Sequence, residues 1–348
     1  MRFLPFATAA FGGSLVAFCS AAAAAAGPEA QTLDGVEVVG SPLPPILGTA
    51  GAASEGDVPR ERLESRPVYR PGELLETVPG LIATQHSGEG KANQYFLRGF
   101  DLDHGTDLAI TVDGMPVNMR THGHAQGYAD INWLIPELVS GLSYRKGPYF
   151  ADEGDFSSAG AVRIDYLDRL DRNLAEISGG SFGYWRGLAA SSVPFGGGDL
   201  LAAAELQHYD GPWDHPDDLR KLNGILRFAR GTPDDGFSIT AMAYASRWEA
   251  TNQIAQRAVD QGLIDRFGSL DPSDGGTVQR YSLSTRWAER EGDTLTRLNA
   301  YVIRSDLRLY NDFTYFLRDP ADGDQFKQTD SRTILGGGAS RTFFHTLA

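Results

Sequence analysis

Beyond about residue 172, apolar and polar side chains exchange places at every second position. Tyr281, Leu283, Thr285 and Trp287 alternate with Arg280, Ser282, Ser284 and Arg286. Phe237, Ile239, Ala241 and Ala243 alternate with Ser238, Thr240, Met242 and Tyr244. The run Leu222, Gly224, Leu226, Phe228 is less clean, because Ile225 falls among Asn223, Arg227 and Ala229 on the other face. A period of two is the side-chain repeat of a strand. Turn clusters such as 231–236 (GTPDDG) and 271–276 (DPSDGG) separate the runs, so roughly eight strands are expected between 172 and 345.

Residues 61–170 read differently, as a mixed α/β domain. PGELLETV (71–78) predicts a short helix, with proline near its start and Pro79-Gly80 ending it. Residues 95–98 and 108–112 are strand-like, the second closing in the turn dipeptide Asp113-Gly114. Residues 138–144 and 161–166 are further strands by the same criteria.

The N-terminus belongs to neither part. Met1-Arg2 is positive, residues 3–26 carry no charge, and an alanine run ends before Gly27-Pro28. This is the form of a cleaved signal peptide (1–26). The stretch is long enough for a bilayer anchor, but Pro5, Gly12, Gly13 and the alanine tail make a poor retained helix. Cys19 is preceded by Phe18, which is too large for lipoprotein processing, and it is the single cysteine. The mature chain therefore has no disulfide framework. Residues 27–60, rich in Pro, Gly, Ala and Ser, read as a linker. Within it Val36-Glu37-Val38-Val39 is β-prone between Gly35 and Gly40. By spacing alone this is an apolar patch, or a segment able to add a strand to a partner's sheet.

Net charge is −14, which repels polyanions and argues against nucleic acid as a partner. No second apolar helix-length run follows the leader. Any membrane crossing by the mature chain must therefore use strands closed into a barrel. The 41 glycines and the abundant aromatic residues suit that class.

The ordered motifs PGELLETVPGL (71–81), YFLRGF (95–100), LAITVDGMPVN (108–118), YRKGP (144–148) and SAGAVRI (158–164) resemble the plug domain of TonB-dependent outer-membrane receptors. GGSFGYWRG (179–187) resembles the first barrel hairpin of that family, whereas YFADEGDFSSAG (149–160) departs from it. The resemblance implies a plug domain at 61–170 followed at 171–348 by antiparallel transmembrane β-barrel strands. It implies a TonB box at Gly35, Val36, Glu37, Val38, Val39 and Gly40. It further implies localisation to the bacterial outer membrane. The expected partners are TonB with its inner-membrane energising complex, outer-membrane lipid and a small nutrient ligand. Large transporters of this type have about 22 strands, so the barrel is expected to be incomplete. The final residues also lack the terminal aromatic residue usual in the family.

The expected function is TonB-dependent uptake of a scarce nutrient: a metal chelate, a siderophore or a metal ion. No covalent chemistry and no resident cofactor are required. The competing readings are a passive channel and a non-functional remnant. Gly179–Gly183 matches the G-x-S-x-G nucleophile elbow, but no helix pattern follows it, and a turn between strands explains its glycines.

Four of seven histidines, His86, His104, His122 and His124, lie within 39 residues. Asp101, Asp103, Asp107, Tyr128 and Asp130 are close by in the sequence. Imidazole with carboxylate suits Zn, Fe, Ni or Cu, so these four histidines are metal candidates, and His122, His124, Tyr128 and Asp130 are substrate-binding candidates. On the residues alone the first reading of these histidines is a metal-free, hydrogen-bonded plug–barrel interface, with the metal role second and a non-metal substrate last. Asp101–Gly105 lacks the third acidic position and distal glutamate of a calcium loop. Arg98 and Gly99 read as structural, with Arg98 anchoring the plug to barrel-wall carboxylates. Asp113 and Gly114 form the structural turn.

Overall fold

Leu108, Ile110 and Val112, alternate residues of one short run, have no exposed surface and form the centre of the N-terminal domain. In this computed structural model, residues 52–85, 90–250 and 252–344 are described. The expected signal peptide, the box at 35–40 and His86 lie outside them.

A five-stranded sheet has the order β1-β7-β8-β5-β6. Its strands are β1 (Glu55–Pro59), β5 (Leu108–Val112), β6 (Met115–Pro116), β7 (Val139–Lys146) and β8 (Gly160–Tyr166). β5 and β8 are parallel, with Leu108 opposite Gly160, and the other pairs are antiparallel. Composition places residues 55–59 in the linker; the structure makes them a sheet strand, because Val58 is buried opposite Leu142. A second sheet of β2 (Leu81–Thr84), β3 (Gln94–Leu97) and β4 (Phe100–Asp101) completes the domain. The helix expected at 71–78 is a 3₁₀ helix, Pro71–Thr77. Glu73 folds back onto the Tyr69 and Arg70 amides and caps it.

The alternating region forms one antiparallel sheet in sequence order. Its strands are β9 (Leu174–Gly179), β10 (Trp185–Phe195), β11 (Gly198–Tyr209), β12 (Leu219–Gly231), β13 (Gly236–Glu249), β14 (Gly275–Glu291), β15 (Thr294–Asn311) and β16 (Phe326–Phe343). Among the described residues the sheet is open, with β9 and β16 at its edges. The short turns 196–197, 232–235 and 292–293 lie at one end, and the longer loops 210–218, 250–274 and 312–325 at the other.

The faces of this wall are the reverse of those in a soluble sandwich. Glu205, Asn223, Arg227, Thr240, Arg280, Ser282 and Ser284 are buried, whereas Leu206, Leu222, Leu226, Ile239, Tyr281, Leu283 and Leu335 are exposed. The polar face packs on the N-terminal domain, and the other face exposes an apolar band. The irregularity at Ile225 is resolved the same way: it points inward and is buried. Gly179–Gly183 ends β9 and turns the chain, with Phe182 and Gly183 at positive φ.

Candidate functional site

Asn118, the last residue of LAITVDGMPVN, fixes the loop that follows it. Its Oδ1 accepts the Ile110 amide at 2.7 Å, and its Nδ2 donates to the carbonyls of Gly105 and Leu108 at 2.8 and 2.9 Å. Met119 and Tyr128 then bridge across the neck of the 119–128 loop. Tyr128 is buried, and its hydroxyl accepts the Ala92 amide at 2.9 Å.

Three of the four candidate histidines gather on this tyrosine. His122 stacks on the Tyr128 ring at 4.2 Å with an interplanar angle of 5°. His124 meets it edge-on at 5.7 Å, and His104 lies 5.9 Å away. The His104 and His124 rings are 4.7 Å apart. Sequence distance is bridged by the hairpin, which returns the loop to the start of β5.

Hydrogen bonds assign their tautomers. His104 Nδ1 faces the Ala92 carbonyl at 2.9 Å and so carries the proton. His122 Nδ1 accepts the His124 amide at 3.2 Å. His124 Nδ1 donates to Gln328 Oε1 at 2.8 Å, because the Gln328 amide nitrogen is committed to the Gly123 carbonyl. Burial pushes His122 down to about 4, opposed by the charge of Asp330, so its imidazole is neutral at neutral pH. With the proton of His104 and His124 on Nδ1, the lone pair of each ring is on Nε2, the atom that would ligate a metal. Among the described residues, the grouping of three imidazole or carboxylate ligands within 4.8 Å is instead His208, Asp210 and Asp218.

Asp130 turns from the rings toward the Asn132 amide at 2.8 Å. Burial raises its carboxyl to about 6, with Asn132 and the wall cations Arg280 and Lys221 pulling the other way.

Strand β16 grips the histidine loop. Asp330 accepts the Gly123 amide at 3.2 Å, and Arg332 donates to the carbonyls of Arg120 and Thr121. Gly123 is required for this approach: a Cβ there would stand 2.7 Å from the Thr329 carbonyl oxygen. Gln328, Asp330 and Arg332 were not singled out by sequence. Residues 327–333 are polar at every position, so no alternation marked the face these three share.

Ion pairs join the domain to the wall on β10, β12 and β14. Asp113 accepts Arg227 Nη1 at 2.5 Å and Arg286 Nη1 at 2.9 Å. Arg227 also reaches Asp168 at 2.7 Å, and Arg286 reaches Asp165 at 2.7 Å. Glu137 forms a bidentate pair with Arg186, which also holds Glu205. Asp113 and Gly114 form the expected turn, at φ 49° and 76°. The polarity is opposite to that expected for Arg98: the domain supplies carboxylates and the wall supplies arginines. Arg98 is exposed with Gly99 on the β3–β4 turn, and among the described residues no carboxylate pairs with it.

Residues 45–161 match the family model of the TonB-dependent receptor plug domain. Similar solved structures include the copper transporter OprC, at 18% identity and TM-score 0.62, covering 86% of this chain and 44% of that one. The FrpB iron transporter from Neisseria meningitidis is 18% identical, with TM-score 0.57 and coverages of 83% and 45%. The siderophore receptor PirA from Acinetobacter baumannii is 15% identical, with TM-score 0.54 and coverages of 82% and 44%. At these identities the likeness is one of fold. The chain spans less than half the length of each of these relatives.

Proposed function

Because this chain carries the plug domain of the TonB-dependent receptors, followed by antiparallel strands of the fold they share, we propose that it serves energy-coupled uptake of a scarce nutrient across the bacterial outer membrane. The substrate class is a transition metal or a metal chelate. The observation that carries this reading is the cluster of His122, His124, His104 and Tyr128 at the long-loop end of the wall. In membrane barrels the longer loops are extracellular and the short turns periplasmic, which puts the cluster on the side from which nutrients arrive. The similarity to structures described as copper, iron and siderophore receptors supports the same class.

In this reading a ligand engages the imidazoles from outside and competes with Gln328 and Asp330 for the 120–124 loop. The loosened plug then signals to the periplasmic side, where residues 35–40 add as a strand to TonB's sheet. Pulling on that segment displaces part of the plug. The Asp113 and Glu137 ion pairs hold the plug against the wall until force is applied.

Uptake of ⁶⁴Cu²⁺ and of a ferric catecholate into cells carrying the gene tests the proposal. Deleting Gly35–Gly40 should abolish accumulation of the transported probe while leaving the protein in the membrane. Accumulation unchanged by the deletion would sink it.

A further inference from the structure

The segment 149–160, which departs from the receptor pattern in sequence, joins β7 to β8. Lys146 and Leu108 both stand opposite Gly160 in the sheet, so the segment lies at the end of the plug where β5 begins. Its contacts there are with the histidine loop. Asp155 pairs with Arg120 at 3.1 Å, and a Cβ on Gly127 would lie 3.0 Å from the Phe156 ring. Phe156 takes φ 61°, a left-handed backbone that a large side chain rarely adopts. Such conformations persist where the surroundings enforce them, and they gather at ligand sites.

Between this segment and the start of β5 lies a cavity of about 680 Å³, a size that suits a small-molecule site. Thr106, Asp107, Gln126, Phe150, Phe156 and Ser158 contribute to its lining. Asp107 is half-buried. One of its oxygens accepts the Ser158 hydroxyl, and the other accepts the Thr106 hydroxyl at 3.0 Å. A carboxylate oxygen has two acceptor sites, so each keeps one in reserve, side by side.

Charge narrows the choice of occupant. Among the described residues no cation pairs with Asp107. The other carboxylates of the segment are matched: Asp155 by Arg120, and Asp152 and Glu153 by Arg145 and Arg163. The surplus is therefore one negative charge, which repels anions. A hard metal ion takes several oxygen ligands, and one carboxylate is too few. Two adjacent acceptors match the two donors of a vicinal diol, and the Gln126 amide offers a further donor and acceptor. The half-buried Phe156 ring supplies apolar surface for the C–H face of such a ligand. The Phe150 ring is already covered by the Arg145 guanidinium at 4.5 Å.

We propose that this cavity binds a neutral sugar, with Asp107 accepting two neighbouring hydroxyl groups and Gln126 bonding a third. The site goes beyond the metal reading and does not depend on it, since no histidine lines the cavity. The negative charge that favours hydroxyl donors turns away an anionic diol, such as a catechol bearing a carboxylate.

The full chain, held in a polyoxyethylene detergent that contains no sugar, is titrated with D-glucose, maltose and protocatechuate, and binding is read by saturation-transfer NMR. The wild type should bind at least one of the two sugars and should not bind protocatechuate. Asp107→Asn should weaken sugar binding about tenfold, and Gln126→Ala about threefold. The Gln126 side chain is exposed, so its loss tests the site without disturbing the fold. His122→Ala with His124→Ala should leave sugar binding unchanged, which separates this site from the metal one. Absence of sugar binding in the wild type would overturn the proposal. Sugar binding that neither Asp107→Asn nor Gln126→Ala weakens would overturn it too. Displacement of the sugar by protocatechuate would overturn it as an anion site.

Discussion

Asp113 of the plug accepts a 2.5 Å hydrogen bond from Arg227 of the wall, with side-chain exposures of 2% and 3%. The two residues lie 114 positions apart, and Arg286 completes the contact from a neighbouring strand pair. A buried charge pair adds little net stability, because desolvation offsets the attraction, but removing one partner leaves the other uncompensated. The plug is therefore held by contacts that are costly to lose singly yet dissolve when water enters.

Asp113→Ala should accordingly destabilise the plug–wall contact by about 1–3 kcal/mol, since Arg227 and Arg286 lose their shared partner but keep Asp168 and Asp165. Replacing Arg227 by Met in the same protein should recover part of that loss. Hydrogen exchange at the Tyr166 amide, which donates to Asp113 Oδ1, reads the effect locally. Unchanged protection in Asp113→Ala would show that the pair does not hold the plug.

Gly123→Val places a side chain against the Thr329 carbonyl, where a Cβ has only 2.7 Å. The 120–124 loop should leave β16, losing the bonds to Asp330, Gln328 and Arg332. Faster exchange confined to residues 119–128 is the expected result. Exchange spread over the whole plug would mean that the loop is a structural pillar and not a separable latch.

Two buried groups of the plug give opposite pH dependences. His122 packs neutral, with its value lowered from 6.5 to about 4. Its contribution is whole above pH 6.5 and is lost as pH falls toward 4. Asp130 is raised from 3.8 to about 6, so its contribution is present below pH 3.8 and is lost as pH rises through 6. Protection of the His124 amide, which His122 accepts, should decline between pH 6.5 and 4. His122→Phe should remove that dependence and leave the Asp130 one in place.

The strand wall was legible where side chains alternate between an apolar outer face and the polar face turned to the plug, as in β13 and β14, whereas β16, polar at every position from 327 to 333, shows no such period. Even Ile225, which blurs the pattern, is explained by facing the plug. The candidate site was legible only in part. The spacing of His122, His124 and Tyr128 within one loop suggested a cluster, and all three are in contact. Nothing local could show that Gln328, 204 positions later, would fix the His124 tautomer. The polarity of the plug–wall ion pairs was hidden for the same reason: Arg227 and Arg286 look like ordinary polar-face residues until the register places them against Asp113.

The metal reading makes a sharper demand. Titration of the purified full chain with Cu²⁺, Zn²⁺ and Ni²⁺ should show binding that is weakened at least tenfold by His122→Ala with His124→Ala, about 1.4 kcal/mol. Binding indifferent to that double change would confine these rings to packing around Tyr128.

Energy-coupled uptake requires residues 35–40 to add as a strand to TonB's periplasmic domain. Single cysteines placed along Val36, Glu37, Val38 and Val39 can be tested for disulfide formation with cysteines along a strand of TonB's periplasmic domain. A paired strand predicts efficient cross-links at every second position, with a fixed register, and stronger ones when the nutrient is present. No cross-links, or equal cross-linking at all four positions, would contradict it.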